Sequence, residues 1–470
     1  MLLTPIDNLL VVLFFLFMLW IGYYFSKKVT NMESFYLAGR TLPWSLTVGT
    51  IVATWYGASG TIAMVEYGFV YGISIWFLWS FTAHISRIPM ALWVGPKVRM
   101  TTEMTVPDLL QRMYGKFPAI FGAILMFVFC SQLFEVTALG IIGSAAWGVS
   151  ALTVAIIIVI LTILLAVLGG LMSVAITDMI LFWFMCIGMV MVLPFGWNDV
   201  GGWSNIIASL NQMNLDPAYL SAAEGVNIGK VLVLIFLALS AYADPTFYQR
   251  FTASETPKSA RRALLCCLPI WLTFDAALVA LGLLTKVKYP ELDPGVGYIK
   301  MTMEYLPAGL KAMFILGVLG SIISTLDSYY LTAGATLAND IVGRLKKEPL
   351  SQKSLISLTR IGAVITGVLG LVLAFQFDMV AEGWVFLGGL WTASAVVPVV
   401  CGLFWPYKKT YMGGCLSMIV GCGVSVLLYF FPIEGIDALL IAFPASFIAF
   451  LIGNLFGNDL NKEKREIRNA

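Results

Sequence analysis

An all-α, polytopic membrane fold is the class this sequence predicts, and three observations carry the prediction. The chain has 470 residues, of which 60% are hydrophobic and 11% charged, with mean hydropathy +0.90. Soluble chains carry roughly a quarter charged residues and under half apolar ones, so a soluble enzyme, a disordered protein and a nucleic-acid binder are excluded. Apolar stretches of about 20 residues, the length that crosses a bilayer as a helix, recur along the whole chain. Lysine and arginine crowd onto alternate connections between those stretches, which is the bias that orients membrane helices.

Thirteen spans are expected, at 5–25, 44–70, 73–96, 117–147, 150–170, 174–197, 228–252, 263–285, 307–342, 355–376, 381–406, 409–431 and 435–456. The first has no basic stretch before it and no small-residue cleavage site, so it reads as a retained helix rather than a signal peptide. With the N-terminus outside, the inner segments hold 22 basic residues, from Lys27 and Arg40 through Arg344 and Lys346 to Arg468. The outer loops then hold only Lys286, Lys288 and Lys300. That asymmetry places the C-terminal tail, 457–470, in the cytoplasm and requires an odd number of spans. The net charge of +2 implies no acidic partner. Seven cysteines without a CxxC, and a single histidine, His84, supply neither a disulfide framework nor zinc or haem ligands.

Two spans are interrupted. The second passes through Ala53-Thr54-Trp55-Tyr56-Gly57-Ala58-Ser59-Gly60 and the seventh through Ala241-Tyr242-Ala243-Asp244-Pro245. Glycine weakens a helix, and proline removes a donor and clashes one turn back. At membrane depth, unwound backbone is tolerated only beside a cavity, protein or an ion. Two interrupted helices five spans apart are the mark of an inverted-repeat transporter with its site at the breaks; two kinked packing helices are the bland alternative.

Ionisable residues at membrane depth point to function. Glu66, Glu135, Asp178, Asp244, Asp275 and Asp327 lie in or near the spans, against Arg87 and His84, with Lys230 and Lys311 near span ends. The excess is acidic, so transported cations or a cationic solute would balance it. In the ninth span, Ser321, Ser324, Thr325 and Ser328 fall at i, i+3, i+4 and i+7, on one helical face, with Asp327 beside them. Small hydroxyls serve close helix packing, yet their oxygens also suit a hard alkali cation.

FYLAGRTLPW (35–44), ATWYGASG (53–60), TVPDLLQRMYG (105–115), GGLMSVAITD (169–178), YQRFTAS (248–254) and STLDS (324–328) occur in that order. In these stretches the chain resembles the sodium:solute symporter family. The resemblance implies a leucine-transporter-like core of five plus five inverted helices: a first repeat at 44–197, a second at 228–406, and peripheral spans at 5–25, 409–431 and 435–456, all within one transmembrane domain, 1–456. It implies a principal sodium site made by the carbonyls of Ala53, Tyr56 and Ser321 and the side chains of Ser324 and Thr325. Some members hold a second sodium; here Asp178, Asp327 and Ser328 match, although Leu181 stands where many members have glutamine.

The resemblance also gives a candidate solute set: Trp55, Gly57, Gln132, Asp244 and Phe247. Trp55 matches an aromatic-cage tryptophan of choline-transporting relatives, where cation–π attraction holds the ammonium. Asp244 stands where such relatives have a second tryptophan. An amine-bearing solute, an amino acid or small amine, is therefore expected over a sugar; the alternative for Asp244 is a cap on the half-helix starting at Pro245. Arg250 is expected at the inner end, Arg40 in a structural ion pair, and His84 with Arg87 as a satisfied polar pair.

The expected activity is sodium-coupled import of a small organic solute, with no cofactor, across a plasma membrane of bacterial inner-membrane type. Solute, Na⁺ and lipid are the expected partners. Proton coupling through Asp178 or Asp327, or a solute sensor of the same fold, are the competing classes. No nucleophile–histidine–acid set supports an enzyme.

Overall fold

The computed structural model describes residues 3–456, apart from 214, 216, 222–227, 375 and 377–379. The expected tail at 457–470 lies outside the described residues. Among them no β-strand forms, and the architecture is all-helical.

α1 (Pro5–Ser26) starts with a reciprocal cap between Thr4 and Asp7. Asp7 also accepts from the backbone of Gly309 (2.7 Å) and Ala312 (3.1 Å), tying this end of α1 to a later helix. α2 (Trp44–Gly60) and α3 (Ile62–Tyr71) follow one another with a bend of 51° at a short break. A helical rod follows from Trp76 to Arg99 around α4 (Thr82–Pro89), with π-helical turns at Trp76–Phe81 and Met90–Val94. α5 (Lys116–Phe129) and α6 (Leu133–Trp147) meet at Gln132, which is left-handed at φ 45°. α7 (Ala151–Trp183) is interrupted at Gly170 (φ 64°, ψ −165°).

α8 (Ile228–Ala238) passes through a 3₁₀ turn to an extended Asp244, after which α9 (Pro245–Ala253) begins. Later helices include α10 (Pro257–Lys288), α11 (Leu310–Ala335), α12 (Gln352–Ala374), α13 (Val380–Trp391), α14 (Val397–Phe404), α15 (Tyr411–Phe430) and α16 (Ala438–Leu455). An isolated bridge between Leu42 and Ser254 joins the chain entering α2 to the chain leaving α9.

Among the described residues, ten helices are long and apolar enough to cross a membrane, or eleven if α2–α3 is one span. The difference from thirteen falls in two places. The 73–96 window is helical from Trp76 to Arg99 but carries Ser80, Thr82, His84, Ser86, Arg87 and Pro89, which make it less apolar than the other spans. The windows at 150–170 and 174–197 run together as Ala151–Val200, 50 residues interrupted at Gly170. At 1.5 Å per residue that run would be about 75 Å long, far beyond one bilayer core.

Burial separates centre from periphery. The α11 span is 83% buried, whereas the α1, α15 and α16 spans are 22%, 39% and 33% buried. Leu9, Leu13, Leu16 and Trp20 leave one side of α1 open to lipid. α3 and α10 approach through glycines: a Cβ on Gly282 would meet Val65 O at 2.4 Å, and one on Gly68 would meet Val279 O at 2.7 Å. Close backbone approach through small residues is how membrane helices gain packing where apolar burial alone gives none. Gly282→Ala is expected to destabilise the protein by about 1–3 kcal/mol in thermal unfolding in detergent. Gly389→Ala, with nothing within 4 Å, is expected to be near neutral.

Candidate functional site

The breaks in the two interrupted spans place the site, and a carboxylate caps each. Gly57 leaves the helix at φ 46°, ψ −157°, a conformation that a side chain disfavours. A Cβ there would also lie 2.2 Å from Glu135 Oε1. The wholly buried Glu135 accepts from Ala58 N at 2.6 Å and from Ser59 N and Oγ at 3.5 and 3.4 Å. These N–H groups lie just past the break, where no intrahelical carbonyl reaches them. At the other break, Asp244 Oδ1 accepts from Thr246 N (2.8 Å), Thr246 Oγ1 (2.6 Å) and Phe247 N (3.1 Å). Tyr329 Oη donates to its Oδ2 at 2.5 Å. Pro245 occupies the first helical position, where a missing N–H costs nothing.

The hydroxyl stripe of α11 faces the first break. Thr325 Oγ1 lies 2.8 Å from Thr54 O and 2.9 Å from Ser321 O. Ser324 Oγ donates to Ser321 O at 3.0 Å, and Ser321 Oγ lies 3.4 Å from Gly57 O. Ala53, Tyr56, Ser321, Ser324 and Thr325 are all buried. Of the expected oxygens, Thr325 Oγ1 contacts α2 directly, and the α2 carbonyls met by the α11 hydroxyls are those of Thr54 and Gly57.

One turn further along α11 lies a second polar cluster. Asp178 Oδ2, from α7, accepts from Thr50 Oγ1 (2.5 Å) and pairs with Arg250 Nη2 (3.3 Å). Arg250 Nη2 also donates to Thr54 Oγ1 (2.7 Å) and Ser328 Oγ (2.6 Å), and Ser328 Oγ lies 3.3 Å from Asp327 Oδ1. Asp178 Oδ1 and Asp327 Oδ2 are buried with no hydrogen bond. Asp178, Asp327 and Ser328 are therefore brought together, and Arg250 is among them. Arg250, expected at the inner end of its span, lies in the last turn of α9, buried against Thr50, Thr54, Asp178 and Ser328. Arg40 does make the expected ion pair, with Glu33 at 2.8 Å.

A central cavity of about 70 Å³ is lined by Trp55, Gln132 and Asp244 from the solute set, together with Arg87, Glu135 and Tyr329. Gly57 and Phe247 do not line it. Gly57 lies beneath the Glu135 carboxylate, and Phe247 packs behind Trp55 with ring centroids 5.0 Å apart. Asp244 has both oxygens engaged, Oδ1 as the helix cap and Oδ2 by Tyr329 Oη, and the Arg87 guanidinium lies 4.6 Å from the Trp55 ring centre, so the face expected to receive an ammonium is covered. Arg87 Nη1 lies 2.6 Å from His84 Nδ1, His84 Nε2 lies 2.8 Å from Asp275 Oδ2, and Tyr56 Oη donates to Asp275 Oδ1 at 2.5 Å. The i, i+3 spacing of His84 and Arg87 signals their mutual contact, but not this network reaching α10 and the α2 break.

A wider vestibule of about 1040 Å³, lined by Glu66, Tyr67, Tyr71, Asp293 and Asp437 among others, reaches Ala58. It opens at the end where Asp293 and Asp437 sit in the connections before α11 and α16.

Comparison with known proteins decides the class. The model of the sodium:solute symporter family matches residues 35–421. The chain belongs to the sodium:solute symporter family. It is accordingly a transporter and an integral membrane protein, not an enzyme, with Na⁺ as the family's coupling ion. The high-affinity proline transporter PutP of Bacillus subtilis (strain 168) is 23% identical over 432 residues, covering 87% of this chain and 89% of the relative. The high-affinity choline transporter 1 of Drosophila melanogaster is 23% identical over 398 residues, covering 80% of this chain and 63% of the relative. A substrate-bound, outward-open Na⁺-coupled sialic acid symporter superposes with TM-score 0.85 at 17% identity, covering 97% of this chain and 98% of that one. The nucleobase-cation-symport-1 transporter Mhp1 gives TM-score 0.54 at 12% identity, covering 90% and 94%. These two likenesses establish the fold.

Removing one member of a buried ion pair strands the other charge and costs about 3–5 kcal/mol. Arg250→Gln and Asp178→Asn are each expected to lower unfolding stability on that scale in detergent. The double variant is expected to lose clearly less than the sum of the two.

Proposed function

We propose that this protein imports a small organic solute by sodium-coupled alternating access, with Na⁺ held by the Ala53, Tyr56 and Ser321 carbonyls and the Ser324 and Thr325 hydroxyls. The observation that carries this is the contact of the α11 hydroxyl stripe with the α2 break, Thr325 Oγ1 lying 2.8 Å from Thr54 O. Neutral oxygens suit a hard, singly charged cation and cannot themselves carry a proton. An ion shared by α2 and α11 holds the two helices together, so its loss inward frees the inner side to open. The membrane potential adds about 2.3 kcal/mol per charge per 100 mV to uptake.

A second Na⁺ at Asp178, Asp327 and Ser328 is part of the proposal. Of the two buried carboxylates there, Asp178 pairs with Arg250 and Asp327 reaches it only through Ser328, and the unpartnered Asp178 Oδ1 and Asp327 Oδ2 are the oxygens offered to the ion. An amine-bearing solute, an amino acid or small amine, is favoured by the field of Glu135, Asp244 and Asp275 against Arg87 around the cavity.

We also propose thirteen spans, counting the rod from Trp76 to Arg99 and dividing Ala151–Val200 at Gly170, with repeats at 44–197 and 228–406 and the N-terminus outside a plasma membrane. In that orientation the vestibule faces outward. A topology reporter at Lys346 is expected inside and one at Lys288 outside; the reverse would overturn the orientation.

A ligand at one hundred times its Kd stabilises the native state by about 2.7 kcal/mol. Thermal unfolding is expected to show stabilisation by NaCl over KCl, lost in Thr325→Ala and weakened in Ser324→Ala. An unchanged Na⁺ response in Thr325→Ala would remove the principal site. Equal responses to Na⁺ and K⁺ with a strong response to acid would favour proton coupling.

A further inference from the structure

We infer that the solute carries a carboxylate and that Arg87 binds it. The inference rests on reading the central cavity as the solute site, and it follows from a guanidinium in direct contact with no carboxylate, its link to Asp275 running only through His84. Arg87 is 1% exposed and lines the cavity. Among the described residues, no carboxylate oxygen comes within 4.0 Å of it. Its one hydrogen bond there runs from Nη1 to His84 Nδ1 at 2.6 Å, and Nε is buried without a partner. Because Nδ1 accepts, the imidazole proton sits on Nε2 and is donated to Asp275 Oδ2 at 2.8 Å. His84 is thus a neutral spacer between Arg87 and Asp275.

A guanidinium stays charged in any protein environment, and isolating that charge from water is strongly unfavourable unless an anion answers it. The Trp55 and Trp271 rings, with centres 4.6 and 5.2 Å from Arg87 Cζ, hold the group by its faces. What remains is the Nε/Nη2 edge, two parallel donors whose spacing matches the two oxygens of a carboxylate. Glu135 and Asp244 line the same cavity, which disfavours a dianion such as phosphate and favours a single negative charge. They leave room for a cationic centre elsewhere on the solute, so an amino acid or betaine fits better than a bare amine.

The test is thermal unfolding of the purified full-length protein in lipid nanodiscs, in NaCl and in KCl, with solutes paired to differ only at the carboxylate. The panel comprises the common amino acids against their amides and decarboxylated amines, glycine betaine against choline, and simple monocarboxylates against their amides. At least one acid is expected to bind tenfold or more tightly than its amide or amine partner. Arg87→Lys is expected to keep a weakened preference, and Arg87→Gln to bind acid and amide alike. Should Arg87→Gln fail to fold, the acid-to-amide ratio of the unaltered protein still decides.

An amide or amine that binds as well as its acid overturns the inference, and so does a panel in which no carboxylate binds. A neutral or cationic solute that stabilises only in NaCl would defeat the carboxylate while leaving sodium coupling standing. A carboxylate that stabilises equally in KCl would support Arg87 and defeat sodium coupling instead.

Discussion

Backbone that leaves a helix inside a bilayer must find hydrogen-bond partners within the protein, and much of this structure is arranged around that requirement. Both interrupted spans meet it in the same way. Glu135 caps the chain after the Gly57 break, and Asp244 caps α9 after its own. Each carboxylate is buried, and each answers N–H groups at a helix start, where the local dipole favours negative charge. Two of the six acidic residues at membrane depth are thereby spoken for without any ligand.

Fixing the breaks fixes what surrounds them. The unwound segment of α2 leaves carbonyls free to face α11, whose hydroxyls lie on one side at helical spacing. α11 is the most deeply buried span, so this contact is shielded from water and lipid alike. One turn away, Arg250 links α9 to α2, α7 and α11 through Thr50, Thr54, Asp178 and Ser328. The bridge between Leu42 and Ser254 couples the same two broken spans near one end. The two broken spans are thus joined to α7 and α11 by polar contacts as well as by apolar burial.

The cavity between these elements is narrow and mixed in charge. Its acidic groups are largely occupied as caps or in the His84–Asp275–Tyr56 network, whereas its guanidinium is held by aromatic faces and keeps an edge free. Counting charges along the chain shows the acidic field but not the guanidinium edge, because a count cannot separate a group occupied by backbone or side chains from one that is available.

The sequence by itself determined the membrane class, the order of the spans, the two breaks and the hydroxyl face of α11. Those features rest on local backbone chemistry and on helical period, which neighbouring residues are enough to specify. The expected spans and the helices differ where polar residues interrupt an apolar stretch, at His84 and Arg87, and where a single glycine, Gly170, interrupts a helix without altering its composition. Tertiary structure decided which charge meets which partner. Arg250 and Asp178 are 72 residues apart in sequence, Glu135 and Ala58 are 77, and Tyr56 and Asp275 are 219. Such pairings depend on how helices cross in space, and at low dielectric the pairing, not the residue type, sets whether a buried charge caps, holds or binds.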